Sequence, residues 1–147
     1  MAELTATVQY AGNDFFVGVS PSGHALVMET NGERAAAPTP VELLLVAIGG
    51  CMGSDVVDIL RKKREQVTEY RIEVRGERRT DFPRSFKNIQ LHHVLRGINL
   101  AESAVKQALD LSESKYCSVA ATLRPTAEIS VTFEVLQEAA ASQAGQL

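Results

Sequence analysis

An uncharged apolar run that turns amphipathic places the strongest constraint on how this chain can fold. Residues 43–53 carry no charge, whereas residues 55–63 confine their apolar side chains to one stripe. Thr39, Pro40 and Glu42 stand just ahead in the pattern of a capped helix start. The sequence therefore predicts one long helix from residue 39 to about residue 63. Because the first half of this helix is apolar on every side, it must be enclosed all round.

A chain of 147 residues has few elements with which to surround such a helix. A second copy of the same helix, from a partner subunit, is an economical cover, and Gly49, Gly50 and Gly53 permit close approach. We therefore expect a homodimer. The uncharged run is too short to cross a bilayer, which takes about 20 apolar residues, so membrane insertion is not expected.

The rest of the chain alternates strand and helix patterns. Short β-favouring runs separated by turn residues predict a meander at the N-terminus. Further strands and two shorter helices follow, the first of these helices capped by Asn99. The predicted ranges are strands at 5–10, 15–20, 25–30, 69–79, 88–96 and 128–135, and helices at 99–112 and 118–123. These elements predict a single α+β domain over residues 1–147, with a disordered tail from residue 139.

The charge and the cysteine content of the chain exclude some kinds of function and favour others. A net charge of −3 and a pI of about 5.6 argue against nucleic-acid binding, and acidic residues are interleaved with the basic cluster of residues 61–87. Two cysteines are too few for a disulfide framework, and the first residues lack the pattern of a secretory signal. A reducing cytoplasm is therefore expected, where a cysteine pair is more often catalytic or metal-binding than structural.

Cys51, at the end of the apolar run, is one candidate reactive thiol. The thiolate is the reactive form of cysteine, and burial disfavours it, so activity requires a nearby cation. Strand alternation points Arg78 towards the helix and makes it the first choice, with Arg79 and Arg84 as alternatives. An inert core thiol is the competing interpretation of Cys51.

Cys117 is the second candidate thiol, since it falls at the start of the predicted 118–123 helix, where unpaired amides stabilise an anion. It is equally compatible with an incidental surface thiol. A zinc site is not expected, because the sequence has no Cys-x-x-Cys or His-x₃-His spacing. His93 is expected to be a hydrogen-bonded core histidine rather than a catalytic base.

Glu42 is a candidate catalytic carboxylate, but its capping-box position already accounts for it. In one continuous helix, Glu42 lies about 180° around the axis and roughly 13 Å along it from Cys51. Direct contact between these two residues within one chain is therefore excluded.

Several motifs together resemble the OsmC/Ohr family of osmotically inducible and organic hydroperoxide resistance proteins. The resemblance covers nearly the whole chain and is closest to the OsmC-like branch. It implies an α+β fold in which two chains intertwine, with paired central helices and two active sites at the dimer interface, and it implies no cofactor. The motifs are Pro40-Val41-Glu42-Leu43-Leu44, Ala47-x-Gly49-Gly50-Cys51, a basic strand with Gly76 and Pro83, and Ser114-Lys115-Tyr116-Cys117-Ser118-Val119.

The resemblance also implies a chemistry. Cys51 corresponds to the peroxidatic cysteine, which attacks the O–O bond of an organic hydroperoxide and becomes a sulfenic acid. Cys117 corresponds to the resolving cysteine, which forms an intramolecular disulfide with it. A dithiol, in some members a lipoylated protein, then reduces the disulfide. A sulfenic acid condenses readily with a nearby thiol, which protects it from irreversible overoxidation.

Two departures from the family pattern keep a second function open. The hydroperoxide-reducing members carry an activating arginine in the N-terminal meander, but residues 1–33 contain no arginine or lysine. Their glutamate follows the proline directly, whereas Val41 stands there and Glu42 comes one position later. The alternative to a cofactor-free peroxidase is therefore a non-enzymatic dimer that binds an apolar ligand in an interface cavity or senses redox state.

Overall fold

Two compact units make up the fold, one ending at Leu44 and the other beginning at Leu45. The structure is a computed structural model and describes residues 3–139. The predicted disordered tail therefore lies, from residue 140 onward, outside the described residues. The prediction of a single domain stays a prediction.

The first unit contains the predicted three-stranded meander. Its strands are β1 (Thr7–Gly12), β2 (Phe15–Val19) and β3 (Ala25–Glu29). They pair antiparallel in the order β1-β2-β3, which confirms the meander. At the end of β3 the buried carboxylate of Glu29 binds Arg34 and the amides of Ala36 and Ala37. Burial alone would raise the pKa of Glu29, but these hydrogen bonds outweigh it and lower the pKa.

The long helix α1 (Pro40–Lys62) begins with the predicted capping box. The Thr39 amide donates to Glu42 Oε1 at 2.8 Å, and the Glu42 amide donates to Thr39 Oγ1 at 3.2 Å. The bonds from the Thr39 amide and hydroxyl lower the pKa of Glu42. The capping box therefore satisfies the amides of Thr39 and Glu42, which have no partner within the helix.

The second unit is built on a sheet of three longer strands, β4 (Gln66–Arg78), β5 (Phe86–Ile98) and β6 (Glu128–Gln137). Strand β5 lies in the middle, antiparallel to β4 and parallel to β6. A parallel pair needs a crossover connection. Here the crossover consists of α2 (Glu102–Leu111), a π-helical segment (Ser112–Tyr116) and α3 (Ser118–Leu123).

Helix α3 has the predicted bounds, but the predicted cap of α2 is wrong. Ala101 precedes α2 with no side-chain capping bond. Asn99 instead takes a left-handed conformation, with φ of 51°, in the turn that follows β5. Asparagine tolerates that region better than most residues, so the same side chain that suits a cap also suits this turn.

The core of the second unit lies between the helices and the sheet. The second half of α1 contributes the apolar stripe predicted for it, and α2 packs beside that stripe. The main buried members are Val56, Leu60, Leu95, Leu100, Val105, Ala108 and Leu109.

Glycines in α1 allow the helix to lie close to β4 of the same chain. A Cβ on Gly53 would stand 2.8 Å from Ile72 Cδ1, and one on Gly49 would stand 3.2 Å from Val74 Cγ2. A Cβ on Gly50 would meet nothing within 4 Å. Two of the three glycines assigned to subunit contact thus serve packing within the chain, and only Gly50 remains open.

The apolar first half of α1 is not fully enclosed within one chain. Val46 is 68% exposed, although Ile48 and Met52 on the same helix are fully buried. By length and composition alone, α1 could also cross a membrane. The buried stripe of α1 accounts for the same composition, because core helices of folded proteins share it.

Candidate active site

The structure brings together the two thiols that the sequence singled out. Cys51 lies in the middle of α1, and Cys117 is the residue that caps α3. The sulfur atoms of both cysteines and a carboxylate oxygen of Asp55 all lie within 4.8 Å of one another. Both cysteines are free thiols. Two nucleophilic sulfurs and one carboxylate therefore share a single small site.

Cys117 is held at the start of α3 in a buried position. Its side chain is 3% exposed, and its Sγ accepts a hydrogen bond from the Ala120 amide at 3.3 Å. Burial raises the pKa of Cys117 to about 11; the Ala120 bond opposes this, while the neighbouring Cys51 and Asp55 add to it. The helix-end amide predicted from sequence is present, but desolvation outweighs it. Cys117 is therefore a protonated thiol at neutral pH and not a surface thiol.

Cys51 is only partly buried, and Asp55 follows it on the same face of α1. Residues four apart in a helix are neighbours, which places the Asp55 carboxylate beside Cys51. Ser112, which is fully buried, donates from its hydroxyl to Asp55 Oδ2 at 2.8 Å. Asp55 was missed from sequence, although its spacing from Cys51 was a usable signal.

The π-helical segment Ser112–Tyr116 positions the second half of the site. It joins α2 to α3, and the Cys117 amide donates to the Ser112 carbonyl at 2.8 Å. The segment thus begins with the serine that binds Asp55 and ends one residue before Cys117, the cysteine that faces Cys51. Single π-helical turns inside helical segments are frequent at functional sites.

The arginine expected to face Cys51 does not do so in this chain. The prediction that Arg78 points inward is wrong: its side chain is exposed, and its Nε donates to the Arg84 carbonyl at 2.7 Å. The pairing of β4 with β5 is irregular at this point, since Glu77 pairs with Asn88 and Arg78 with Phe86, which leaves Lys87 of β5 without a partner on β4.

The two alternative arginines are also engaged elsewhere. Arg79 donates to the carbonyls of Phe86 and Thr126, at 2.6 and 3.0 Å. The Arg84 guanidinium lies over the Phe82 ring, 4.3 Å from its centroid. Within residues 3–139, none of the hydrogen bonds made by these arginines ends on Cys51.

His93 is a core residue, as expected. It is fully buried, and its Nδ1 lies 2.7 Å from the Tyr70 hydroxyl. Burial, with a smaller contribution from His92, lowers the pKa of His93 to about 4. The ring is therefore neutral at pH 7 and serves packing rather than acid-base chemistry at the thiols.

An open groove of about 960 Å³ runs between α1 and β4. Its walls are mostly glycine and apolar side chains, with a few polar groups towards the end of α1. The lining residues are Leu45, Val46, Gly49, Gly50, Gly53, Ser54, Val57, Asp58, Arg61, Tyr70, Ile72 and Val74. The groove can receive an apolar surface or an apolar ligand.

The thiol site also has the donor set of a soft metal ligand group. The sulfurs of Cys51 and Cys117 and a carboxylate oxygen of Asp55 are donors of the kind that bind Zn²⁺, and they lie close enough together to share one ion. The spacing of residues in the sequence did not indicate a metal site here, because the three donor residues come from two different helices.

Comparison with known proteins gives the family. Residues 31–132 match the family described as OsmC-like protein. Protein YhfA of Escherichia coli K12 is 41% identical over 134 residues, which span 90% of this chain and 98% of YhfA.

Solved structures share the fold. A hypothetical protein from Aquifex aeolicus VF5 superposes with a TM-score of 0.85 at 32% identity, over 95% of this chain and all of the other. An organic hydroperoxide resistance protein OsmC from Legionella pneumophila superposes with a TM-score of 0.65 at 11% identity, over 92% and 98% of the two chains. At that low identity the second likeness concerns the fold alone. The family match, together with the identity to YhfA, shows that this chain belongs to the OsmC-like protein family.

Proposed function

We propose that this protein is a thiol-dependent peroxidase that reduces organic hydroperoxides, with Cys51 as the peroxidatic cysteine and Cys117 as the resolving cysteine. The observation that carries the proposal is the approach of the two sulfurs to within 4.8 Å. The difference in their surroundings supports the order of events. Cys51 is partly exposed and can meet a substrate, whereas Cys117 is buried and can meet only Cys51.

The chemistry needs two steps on the protein. In the first, Cys51 sulfur attacks the hydroperoxide, the O–O bond breaks, and the products are Cys51 sulfenic acid and an alcohol. In the second, Cys117 sulfur attacks the oxidised sulfur of Cys51, the S–O bond breaks, and the products are a disulfide and water. A dithiol reductant of the lipoyl type then restores both thiols by exchange. The cycle uses no cofactor.

The apolar groove supports an organic substrate. Gly49, Gly50, Val46 and Ser54 line it on the helix that carries Cys51. An alkyl or acyl chain of a hydroperoxide can bury its apolar surface there, and hydrogen peroxide has no such surface to bury. Cys51 is not among the residues that line the groove. The preference for organic hydroperoxides is therefore the part of the proposal that a comparison with hydrogen peroxide tests.

A homodimer completes the proposal. The open face of α1 leaves Val46 68% exposed, and a second copy of this helix would cover it. The family resemblance implies the same arrangement, with each active site at the interface. A cation that stabilises the Cys51 thiolate would then come from the partner subunit. We place this cycle in the reducing cytoplasm, where a disulfide can be returned to dithiol.

The test is consumption of cumene hydroperoxide in the presence of a dithiol reductant, with hydrogen peroxide in parallel. Wild type should turn over cumene hydroperoxide faster than hydrogen peroxide, and Cys51→Ser should be inactive. Ser130→Ala, an exposed serine on β6 that lies outside the groove, is the control and should remain active. Equal rates of hydroperoxide consumption by wild type and Cys51→Ser would refute the proposal that this protein is a peroxidase.

The alternative is a non-enzymatic dimer that binds an apolar ligand or senses redox state. The outward position of Arg78 favours it, because an arginine was needed to activate Cys51. Under this alternative, Cys51 reacts slowly and unselectively with an alkylating agent at pH 7. Rapid, selective alkylation of Cys51 at that pH would argue for the peroxidase.

A further inference from the structure

Asp55 belongs to the thiol site but has no role in the two steps of the proposed cycle. Its carboxylate lies within 4.8 Å of both sulfurs, and the buried Ser112 hydroxyl fixes it at 2.8 Å. The attack of Cys51 on the hydroperoxide does not use this carboxylate. An acidic group held here by a dedicated hydrogen bond therefore calls for a different role.

We propose that Asp55 is a catalytic residue of the resolving step, in which its carboxylate accepts the proton of Cys117 as Cys117 attacks the oxidised sulfur of Cys51. This inference rests on the proposed peroxidase and adds to it the group that moves the proton.

The step balances without a further reactant. Cys117 sulfur forms a bond with Cys51 sulfur while the S–O bond of the sulfenic acid breaks. The Cys117 proton passes to Asp55, and Asp55 delivers it to the departing hydroxide, which leaves as water. Cys117 is oxidised, the sulfenic sulfur of Cys51 is reduced, and Asp55 ends as the carboxylate with which it began.

Cys117 needs such a base because it is buried. Cys117 is 3% exposed and its sulfur accepts a hydrogen bond from the Ala120 amide at 3.3 Å, so burial shields the thiol from the water that would otherwise take its proton and form the thiolate. A positioned general base removes the need to form that thiolate in advance and typically contributes 10²- to 10⁴-fold in rate. Asp55 is within reach of the Cys117 proton directly or through one water.

The other charged groups near Asp55 are paired with other partners. A cleft over Asp55 is lined by Asp58, Lys62, Lys63 and Tyr116, together with apolar Ile59 and Leu111. Lys62 Nζ lies 3.0 Å from Asp58, and Lys63 donates to Gln107. Of the carboxylates that line this cleft, Asp55 is the one that shares a site with the two sulfurs.

A single-turnover experiment tests the proposal. Reduced protein is mixed with one equivalent of cumene hydroperoxide, and samples are quenched over time. Dimedone adducts report the Cys51 sulfenic acid, and mass spectrometry of non-reduced peptides reports the Cys51–Cys117 disulfide. The variants are Asp55→Asn, which can still accept the Ser112 bond, and Asp55→Glu, which keeps a carboxylate. Asp110→Asn is the control, an exposed carboxylate on α2 paired with Lys106.

We expect Asp55→Asn to form the sulfenic acid within about threefold of the wild-type rate and the disulfide about 10²- to 10⁴-fold more slowly at pH 7. Its disulfide rate should rise about tenfold per pH unit from pH 6 to 9, because hydroxide must then take the Cys117 proton, whereas the wild-type rate should vary far less. Asp55→Glu should recover part of the loss, and Asp110→Asn should match wild type.

Three results would overturn the inference. Disulfide formation at the wild-type rate in Asp55→Asn would overturn it and leave the peroxidase intact. An equal slowing of both steps, with unchanged pH dependence, would show that Asp55 only supports the structure. A wild-type protein that forms no sulfenic acid would overturn the peroxidase and this inference together.

Discussion

The sulfur atoms of Cys51 and Cys117 lie within 4.8 Å of each other, one on a partly exposed helix face and the other buried at the start of α3. A disulfide requires about 2.05 Å between sulfurs, so a modest side-chain movement is enough to form it. The two sulfurs are therefore close enough for an intramolecular oxidation.

Removal of the resolving thiol should stop the cycle at its first product. With Cys117→Ser, one equivalent of cumene hydroperoxide should produce Cys51 sulfenic acid that persists and reacts with dimedone. An excess should drive it to sulfinic and sulfonic acid, because no neighbouring thiol intercepts it. Mass spectrometry of the intact chain measures both. Cys51→Ser is the control and should gain no oxygen; an unmodified Cys51 in Cys117→Ser would contradict the assignment.

A methyl group at Gly53 should loosen the packing of α1 against β4. Its Cβ would stand 2.8 Å from Ile72 Cδ1, and overpacking of this kind costs about 1–3 kcal/mol. The gain in helix propensity of about 1 kcal/mol offsets part of the cost. We expect Gly53→Ala to lower the free energy of unfolding by about 1–2 kcal/mol in a urea titration.

Gly32→Ala is the matched control for this prediction, since a Cβ at Gly32 meets nothing within 4 Å. It should change the free energy of unfolding by less than about 0.5 kcal/mol. Equal midpoints for Gly53→Ala and wild type would show that the contact between α1 and β4 is looser than the structure describes.

Acid should destabilise the fold through His93. Its pKa in the folded state is about 4, below the ordinary value of 6.5, so the folded state binds the proton less readily than the unfolded state. The stability that depends on neutral His93 is complete above pH 6.5 and is lost as the pH falls towards 4. The loss should be on the order of 2 kcal/mol.

His93→Gln should flatten this pH dependence between pH 6.5 and 4, as measured by urea unfolding at several pH values. His24→Gln, an exposed histidine in the first unit, should retain the wild-type slope. A wild-type slope in His93→Gln would assign the acid sensitivity to other groups.

A charge on the open face of α1 should separate the subunits. Val46 is 68% exposed in one chain, and a glutamate buried there against a second copy would lose its hydration without a partner. We expect a dimer for wild type and a monomer for Val46→Glu by size-exclusion chromatography with light scattering. Phe82→Glu, an apolar residue 82% exposed in the loop before β5, should remain dimeric. A monomeric wild type would contradict the proposed assembly.

Local sequence signals predicted the helices and strands well, because those signals act over a few residues. Thr39 and Glu42 correctly indicated where α1 begins, and α3 has its predicted bounds, Ser118–Leu123. Features that depend on contacts between residues far apart in the sequence were not predictable from local patterns. Arg78 is exposed and its side chain binds the Arg84 carbonyl in the loop between β4 and β5, a contact with no pattern in the sequence.

The thiol site was predictable in part. The residues around Cys51 and around Cys117 marked each of them as a candidate reactive thiol. That the two sulfurs lie close together depends on the fold of α2, the π-helical segment and α3. Asp55 had a signal in its spacing from Cys51. Its anchor, Ser112, lies 57 positions further along the chain, so their hydrogen bond had no sequence signature.

The most direct test of the central claim is the fate of the two thiols after one equivalent of cumene hydroperoxide. The protein is digested without reduction, the cross-linked peptides are identified by mass spectrometry, and a non-reducing denaturing gel shows whether the bond lies within one chain. We expect a disulfide between Cys51 and Cys117 on a species that migrates as a monomer. Two intact thiols, or a bond only between chains, would contradict it.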